Sequence, residues 1–173
     1  VGLVLPSVEI KFVNDEILVR GPNVMQGYYK DELLTHAAFD GEWFKTGDIG
    51  YLDRKGFVHI IGRIKNLIVL KNGKKISPDE IESQLKRIPL IKEVLAYGAA
   101  SGDYADDVKL ALMIYPDPMM TENMTSYEIL DAVQREVDKI NETLPIYKQI
   151  QMINIREDEF SKTSSNKIKR QLV

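Results

Sequence analysis

Between residues 8 and 12 apolar and charged side chains take turns. Val8, Ile10 and Phe12 alternate with Glu9 and Lys11, a period of two that predicts a half-buried strand. Asn14-Asp15 supplies a turn before Ile17-Leu18-Val19, so a hairpin is expected. Gly21-Pro22-Asn23 breaks the alternation. A second hairpin is read from Gly50-Tyr51-Leu52, the turn Asp53-Arg54-Lys55-Gly56, and Phe57 to Ile61. These pieces are expected to belong to a small antiparallel sheet or barrel and not to make a complete domain.

After Gly62 the periodicity becomes mixed. Leu67 to Leu70 and Lys74 to Ile76 flank Asn72-Gly73, a pair that favours positive φ in a tight hairpin turn. Ser77-Pro78-Asp79-Glu80 reads as a helix start, with Ser77 as N-cap, Pro78 at the first helical position and Glu80 closing a capping box. Ile81, Leu85 and Ile88 then share one face, and Pro89 is expected to end the helix. Val94–Ala99 and Val108–Tyr115 read as strands, and Met119-Met120, between prolines, as a loop. Thr125 and Glu128 form a second capping box, ahead of Ile129, Val133, Val137, Ile140 and Leu144 on one face of a longer helix that stops before Pro145. Ile150 to Ile155 is a last strand. The segment from Ser161 to Arg170 is polar and basic, and its composition predicts a tail that does not order by itself. This order of elements suits an α+β domain with about three helices packed on a sheet.

Composition narrows the chemistry. The 173 residues contain no cysteine and only two histidines, His36 and His59, which excludes a disulfide framework, a thiol nucleophile and a cysteine-based zinc site. No apolar run approaches the ~20 residues of a membrane span. A net charge of -3 gives no general attraction to nucleic acid. The acidic pair Asp106-Asp107 lacks the spacing of a calcium loop, and no metal ligands are assigned.

Each candidate motif has a bland alternative. Asp48, in Thr46-Gly47-Asp48, could accept two hydrogen bonds from a ribose diol, or could be a turn carboxylate serving nearby backbone. Arg63 and Lys65 could contact a nucleotide and mark a hinge, or be solvated loop cations. Asn72-Gly73-Lys74-Lys75 fails as a phosphate loop, because G-x-x-x-x-G-K-[ST] is absent and strands flank it. The tail from Ser161 to Arg170 carries four cations, with nothing local to choose among them.

The combination is more specific than its parts. In order run Asn23 to Tyr29, Gly41-Glu42-Trp43-Phe44-Lys45-Thr46-Gly47-Asp48, Asp53 to Phe57, Gly62-Arg63-Ile64-Lys65-Asn66, Asn72-Gly73-Lys74-Lys75-Ile76-Ser77-Pro78-Asp79-Glu80-Ile81-Glu82, and Lys162-Thr163-Ser164-Ser165-Asn166-Lys167-Ile168-Lys169-Arg170. This resembles the C-terminal part of the adenylate-forming superfamily of acyl-CoA synthetases, peptide-synthetase adenylation domains and firefly luciferases. Within it, residues 65–74 look most like long-chain fatty acid–CoA ligases.

The resemblance implies an α+β architecture. Residues 1–64 would be β hairpins, or a barrel remnant, at the end of a large AMP-binding domain, and residues 65–173 a mobile C-terminal domain. It implies an enzyme that adenylates a carboxylate with ATP and then passes the acyl group from AMP to CoA. Asp48 would hold the ribose hydroxyls with Arg63 nearby, and Lys65 would be the hinge. Gly73 would sit beside the pantetheine tunnel, and Lys167 would be catalytic, bridging carboxylate and α-phosphate. Asn166 stands where the family usually has glycine. The phosphate-gripping loop, the glutamate for Mg2+ and the acyl pocket are expected upstream of Val1, so the chain is expected to be an inactive fragment by itself. A cytoplasmic enzyme acting on fatty acid, ATP and CoA follows, with no nucleic-acid partner; the lipid substrate leaves room for peripheral membrane association. The rivals are a medium-chain, aryl acid–CoA or acyl-carrier-protein ligase, and a non-catalytic nucleotide- or protein-binding module of the same fold.

Overall fold

Asn14 and Asp15 both adopt positive φ, 51° and 69°, and this closes the first hairpin in a two-residue turn. The turn joins β2 (Glu9–Val13) to β3 (Glu16–Arg20), with Val13 opposite Glu16. The computed structural model describes residues 2–100 and 108–170, so the Asp106-Asp107 pair lies outside the described residues. The chain divides into two compact units after Asn66.

The first unit adds β1 (Gly2–Leu3), α1 (Glu32–Ala38), β4 (Phe39–Asp40), β5 (Trp43–Leu52) and β6 (Phe57–Arg63). They form one antiparallel sheet in the order β1-β6-β5-β3-β2, with β4 also on β5. Its second hairpin is longer than the expected Gly50–Ile61. Gly50 is there because no side chain fits: a Cβ would stand 2.2 Å from the His59 carbonyl oxygen. His59 bonds Asp53 at 2.9 Å and stacks on Tyr51.

The second unit contains β7 (Ile68–Val69), β8 (Lys75–Ile76), α2 (Pro78–Leu85), β9 (Ile91–Ala100), β10 (Val108–Pro116), α3 (Pro118–Thr121), α4 (Ser126–Thr143) and β11 (Met152–Ile155). β9 pairs antiparallel with β10, and β11 pairs parallel to it on the other side. The parallel pair needs a crossover, which α3 and α4 provide. Ile76, Ile81 and Leu85 meet Val94, Leu110, Leu112 and Ile114 from the sheet and Val133 and Val137 from α4. All of these are essentially inaccessible to water, and each such side chain contributes about 1.5–3 kcal/mol. The architecture is α+β. No helix among the described residues is long and apolar enough to cross a membrane.

Both expected helix starts are present, but only one is capped as read. Thr125 and Glu128 exchange both hydrogen bonds of a capping box. Ser77 makes no side-chain cap bond, and Glu80 turns instead to Lys148, whose ammonium it binds through both oxygens at 2.8 Å. α2 also ends earlier than Pro89 implied. Its last residue is Leu85, with Lys86 as the C-cap, and Ile88 buries itself from the turn that follows. Met119-Met120 is not a loop. It lies in α3, whose N-terminus is capped by Asp117 accepting from the Met119 N–H at 2.9 Å.

Candidate active site

Thr46-Gly47-Asp48 is a bulge inside β5, and not the Gly-flanked turn the sequence suggested. Glu16 pairs with Ile49 and Leu18 with Lys45, which leaves three β5 residues opposite Ile17 alone. Gly47 takes φ 70°, and its N–H donates to Glu16 Oε1 at 3.0 Å. The Thr46 hydroxyl donates to the Ile17 carbonyl at 2.7 Å and accepts the Asp48 N–H at 3.0 Å. Bulges re-aim side chains without ending a strand. Here Asp48 lies opposite Arg63 of β6, with Arg63 Nε 2.7 Å from Asp48 Oδ1. Arg63 also donates to the Thr46 carbonyl at 3.0 Å. Asp48 Oδ2 has no partner among the described residues. The pair therefore offers a fixed acceptor beside a fixed donor, a chemistry that suits a sugar diol or an anionic oxygen.

Lys65 is exposed on a single 3-10 turn, Ile64–Asn66, at the end of the first unit. Gly73, in the second unit, is the last residue of a loop joining β7 to β8. The Leu70 N–H donates to the Lys74 carbonyl and the Gly73 N–H to the Leu70 carbonyl. Only Gly73 (φ 76°) has positive φ, so this is a three-residue hairpin loop and not the tight pair expected from Asn72-Gly73. An open groove of about 800 Å3 lies alongside, lined by Leu70, Lys71, Asn72, Lys74 and Tyr147 among others. Lys74 Nζ sits 4.2 Å from the centre of the Tyr147 ring.

The loop design appears three times. Asp53 to Phe57 repeats it with Gly56 at φ 83°, and Thr163 to Lys167 repeats it with Asn166 at φ 60°. The basic tail is thus ordered, contrary to its composition. Thr163 donates its N–H to the Lys167 carbonyl at 2.8 Å and Asn166 to the Thr163 carbonyl at 2.9 Å. Lys162 and Ile168 bridge below them. Asparagine tolerates left-handed φ better than most residues, so it serves where the other two loops use glycine. Asn166→Val is therefore expected to destabilise this loop by about 1–2 kcal/mol while Asn166→Gly costs little. Amide exchange at Thr163 and Asn166 reads the difference.

What composition missed is where the tail is tied. Phe160 is buried, with the Arg156 guanidinium 4.2 Å above its ring. Lys162 Nζ reaches Glu93 Oε1 of β9 at 2.5 Å and Glu159 Oε2 at 3.0 Å. Arg170 grips both oxygens of the buried Glu82 carboxylate of α2 at 2.8 Å and adds Asp79 at 2.9 Å. Glu82 Oε1 also accepts the Ala96 N–H at 2.9 Å. Burial pushes the Glu82 carboxyl up, against the pull of Arg170 and the Ala96 N–H. Burial works against the Arg170 charge too, but Glu82 and Asp79 outweigh it and hold the guanidinium above its usual value. Of the tail's four cations, Lys162 and Arg170 are thereby committed. Lys167 and Lys169 are exposed, and Lys167 makes no ion pair among the described residues.

Hydrogen bonds from Lys92 and Lys162 lower Glu159 from its ordinary 4.5 to about 2. A carboxyl depressed in the folded state adds stability above its unfolded value and loses it as pH falls through the folded one. The Glu159 tether should therefore weaken as pH falls from about 4.5 to about 2. Thermal melts across that interval are expected to fall more steeply for the wild type than for Glu159→Gln; parallel slopes would contradict it.

Among the described residues no group of three or more His, Cys, Asp or Glu side chains is arranged to hold a metal ion. No chemistry is assigned to a metal at these residues. Residues 65–173 match the family model of the AMP-binding enzyme C-terminal domain. The chain belongs to that family. As a member of it, the chain is similar to an Escherichia coli O157:H7 long-chain-fatty-acid–CoA ligase, 33% identical over 98% of this chain and 30% of that protein. It is also similar to an Arabidopsis thaliana oxalate–CoA ligase, 34% identical over 91% of this chain and 28% of that protein. The solved structure of Bacillus subtilis o-succinylbenzoate CoA synthetase with its acyl-adenylate intermediate superposes with a TM-score of 0.77. It is 31% identical and covers 96% of this chain and 34% of that one. The chain thus spans about 30% of the length of the curated relatives it matches.

Proposed function

We propose that the chain supplies the C-terminal part of an ATP-dependent, AMP-forming acid–CoA ligase whose acid is a long-chain fatty acid. The observation that carries the reading is Lys167: it closes an ordered loop opposite Thr163, its ammonium makes no ion pair among the described residues, and the cations at the two feet of the loop are already paired. Adenylation sets an anionic carboxylate against an anionic phosphate, and a long flexible ammonium placed between them offsets that repulsion. In this reading Asp48 accepts from the ribose hydroxyls of ATP or AMP with Arg63 at its side. Lys65 is the pivot about which residues 65–173 turn, and the loop at Gly73 borders the path of CoA. A glycine there lets a ligand approach the backbone closely. Residues 1–64 would then belong to the large AMP-binding domain, and the chain by itself would not turn over.

The match to the long-chain ligase over nearly the whole chain supports a fatty acid. The succinylbenzoate enzyme, at a similar identity, supports a second reading in which the acid is aromatic. A panel of long-chain, medium-chain and aryl acids with the intact enzyme, followed by acid-dependent pyrophosphate release, separates them. The highest kcat/KM is expected with long-chain acids. An aryl acid preferred over every fatty acid would replace the first reading by the second, and no acid-dependent release would defeat both.

A further inference from the structure

Glu82 is a buried carboxylate that none of the roles above uses. Its side chain is 6% exposed, and both its oxygens are committed to Arg170, with one also taking the Ala96 N–H. Arg170 lies three residues beyond Lys167. At the other foot of the same loop, Lys162 is held by Glu93, whose side chain is 10% exposed. Glu93 Oε2 also accepts the Phe160 N–H at 2.9 Å. The acceptors sit on α2 and β9, the rigid elements of the core, and the donors bracket the loop that carries Lys167.

We propose that Glu82 and Glu93 are positioning residues that clamp the two feet of the Lys167 loop. The inference rests on the adenylation role given to Lys167 above. A buried ion pair is a poor device for stability alone, because apolar residues of similar volume hold a fold as well or better. What it provides is geometry: a bidentate guanidinium–carboxylate fork fixes direction as well as distance. Each foot is also bonded to backbone through its carboxylate, to Ala96 at one and Phe160 at the other. The loop between them is closed by its own hydrogen bonds. With feet fixed and tip closed, the freedom left is that of the Lys167 side chain. The clamp has a second effect, since it occupies the two cations that would otherwise compete with Lys167 for a phosphate.

The test replaces the pair without opening a hole. In the intact enzyme, Glu82→Leu with Arg170→Met leaves no charge unpaired and should lower the melting temperature clearly less than Glu82→Ala, although the Ala96 N–H loses its acceptor in both. Exchange at the Thr163, Asn166 and Lys169 amides should nevertheless rise about tenfold or more, with β10 amides unchanged. The adenylation kcat should fall about 10–100-fold at nearly constant KM for ATP, because a misplaced group loses transition-state contact and not ground-state binding. Thioester formation from supplied acyl-AMP should change little. Glu93→Gln should loosen the same amides from the other foot, and Arg170→Lys with Glu82 intact should recover part of the loss. Unchanged loop exchange in both variants would overturn the clamp, as would equal loss of the two half-reactions. Normal adenylation by Lys167→Ala would instead remove the role of Lys167, while the exchange result would still decide the clamp.

Discussion

Alanine at Lys167 is expected to slow carboxylate adenylation by about 10²–10³-fold, the usual loss when one preorganised donor is removed from a developing negative charge. The large effect follows from the lack of a substitute. Lys162 and Arg170 are locked to Glu93, Glu159, Glu82 and Asp79, and Lys169 lies below the loop tip, its N–H bonded to the Ser161 carbonyl. The second half-reaction does not bring carboxylate and triphosphate together, so acyl transfer from supplied acyl-AMP to CoA should proceed at nearly the wild-type rate. Pyrophosphate release and acyl-AMP consumption, measured separately on the intact enzyme, check the split. A parallel fall of both would assign Lys167 to something other than adenylation.

The second large effect concerns stability. Glu82→Ala leaves the Arg170 guanidinium partly buried without its main partner and strips the Ala96 N–H of its acceptor. Removing one member of a buried pair costs about 3–5 kcal/mol, and Arg170, a quarter exposed, places the expectation near 3 kcal/mol. Asp79 remains for Arg170 and sets the same direction. Glu82→Gln keeps an acceptor for Ala96 and should cost clearly less than alanine. Urea unfolding of the three proteins measures the order; an alanine variant as stable as the wild type would contradict it.

What could be read from the sequence was what is decided locally. Asn14-Asp15 carries its own turn, and Thr125 with Glu128 carries its own cap, because every partner lies within three residues. Readings failed where a distant residue competed. Ser77-Pro78-Asp79-Glu80 has the letters of a capping box, but Lys148, 68 residues away, claims Glu80. The bulge at Thr46-Gly47-Asp48 depends on the register of β3 against β5, which no stretch of β5 alone encodes. The tail is the clearest case. Its composition is that of a solvated segment, and its order comes from carboxylates 69 residues upstream on β9 and 88 residues upstream on α2. Asp48 and Arg63 were each visible as candidates, and their contact at 2.7 Å needed only the hairpin that joins their strands. Glu82 and Glu93 gave no signal of their own, since a carboxylate in a helix or strand reads as surface until its burial is known.

Three loops of the same build, at Asp53–Phe57, Leu70–Lys74 and Thr163–Lys167, each close through two backbone hydrogen bonds of their own. The conformational entropy of about 1–2 kcal/mol per fixed residue is therefore lost once, when the chain folds. A flexible tail would surrender that freedom afresh at every encounter with a ligand, and its affinity would be lower by the same amount. A tip that is already shaped meets its ligand with only side-chain rotamers left to settle.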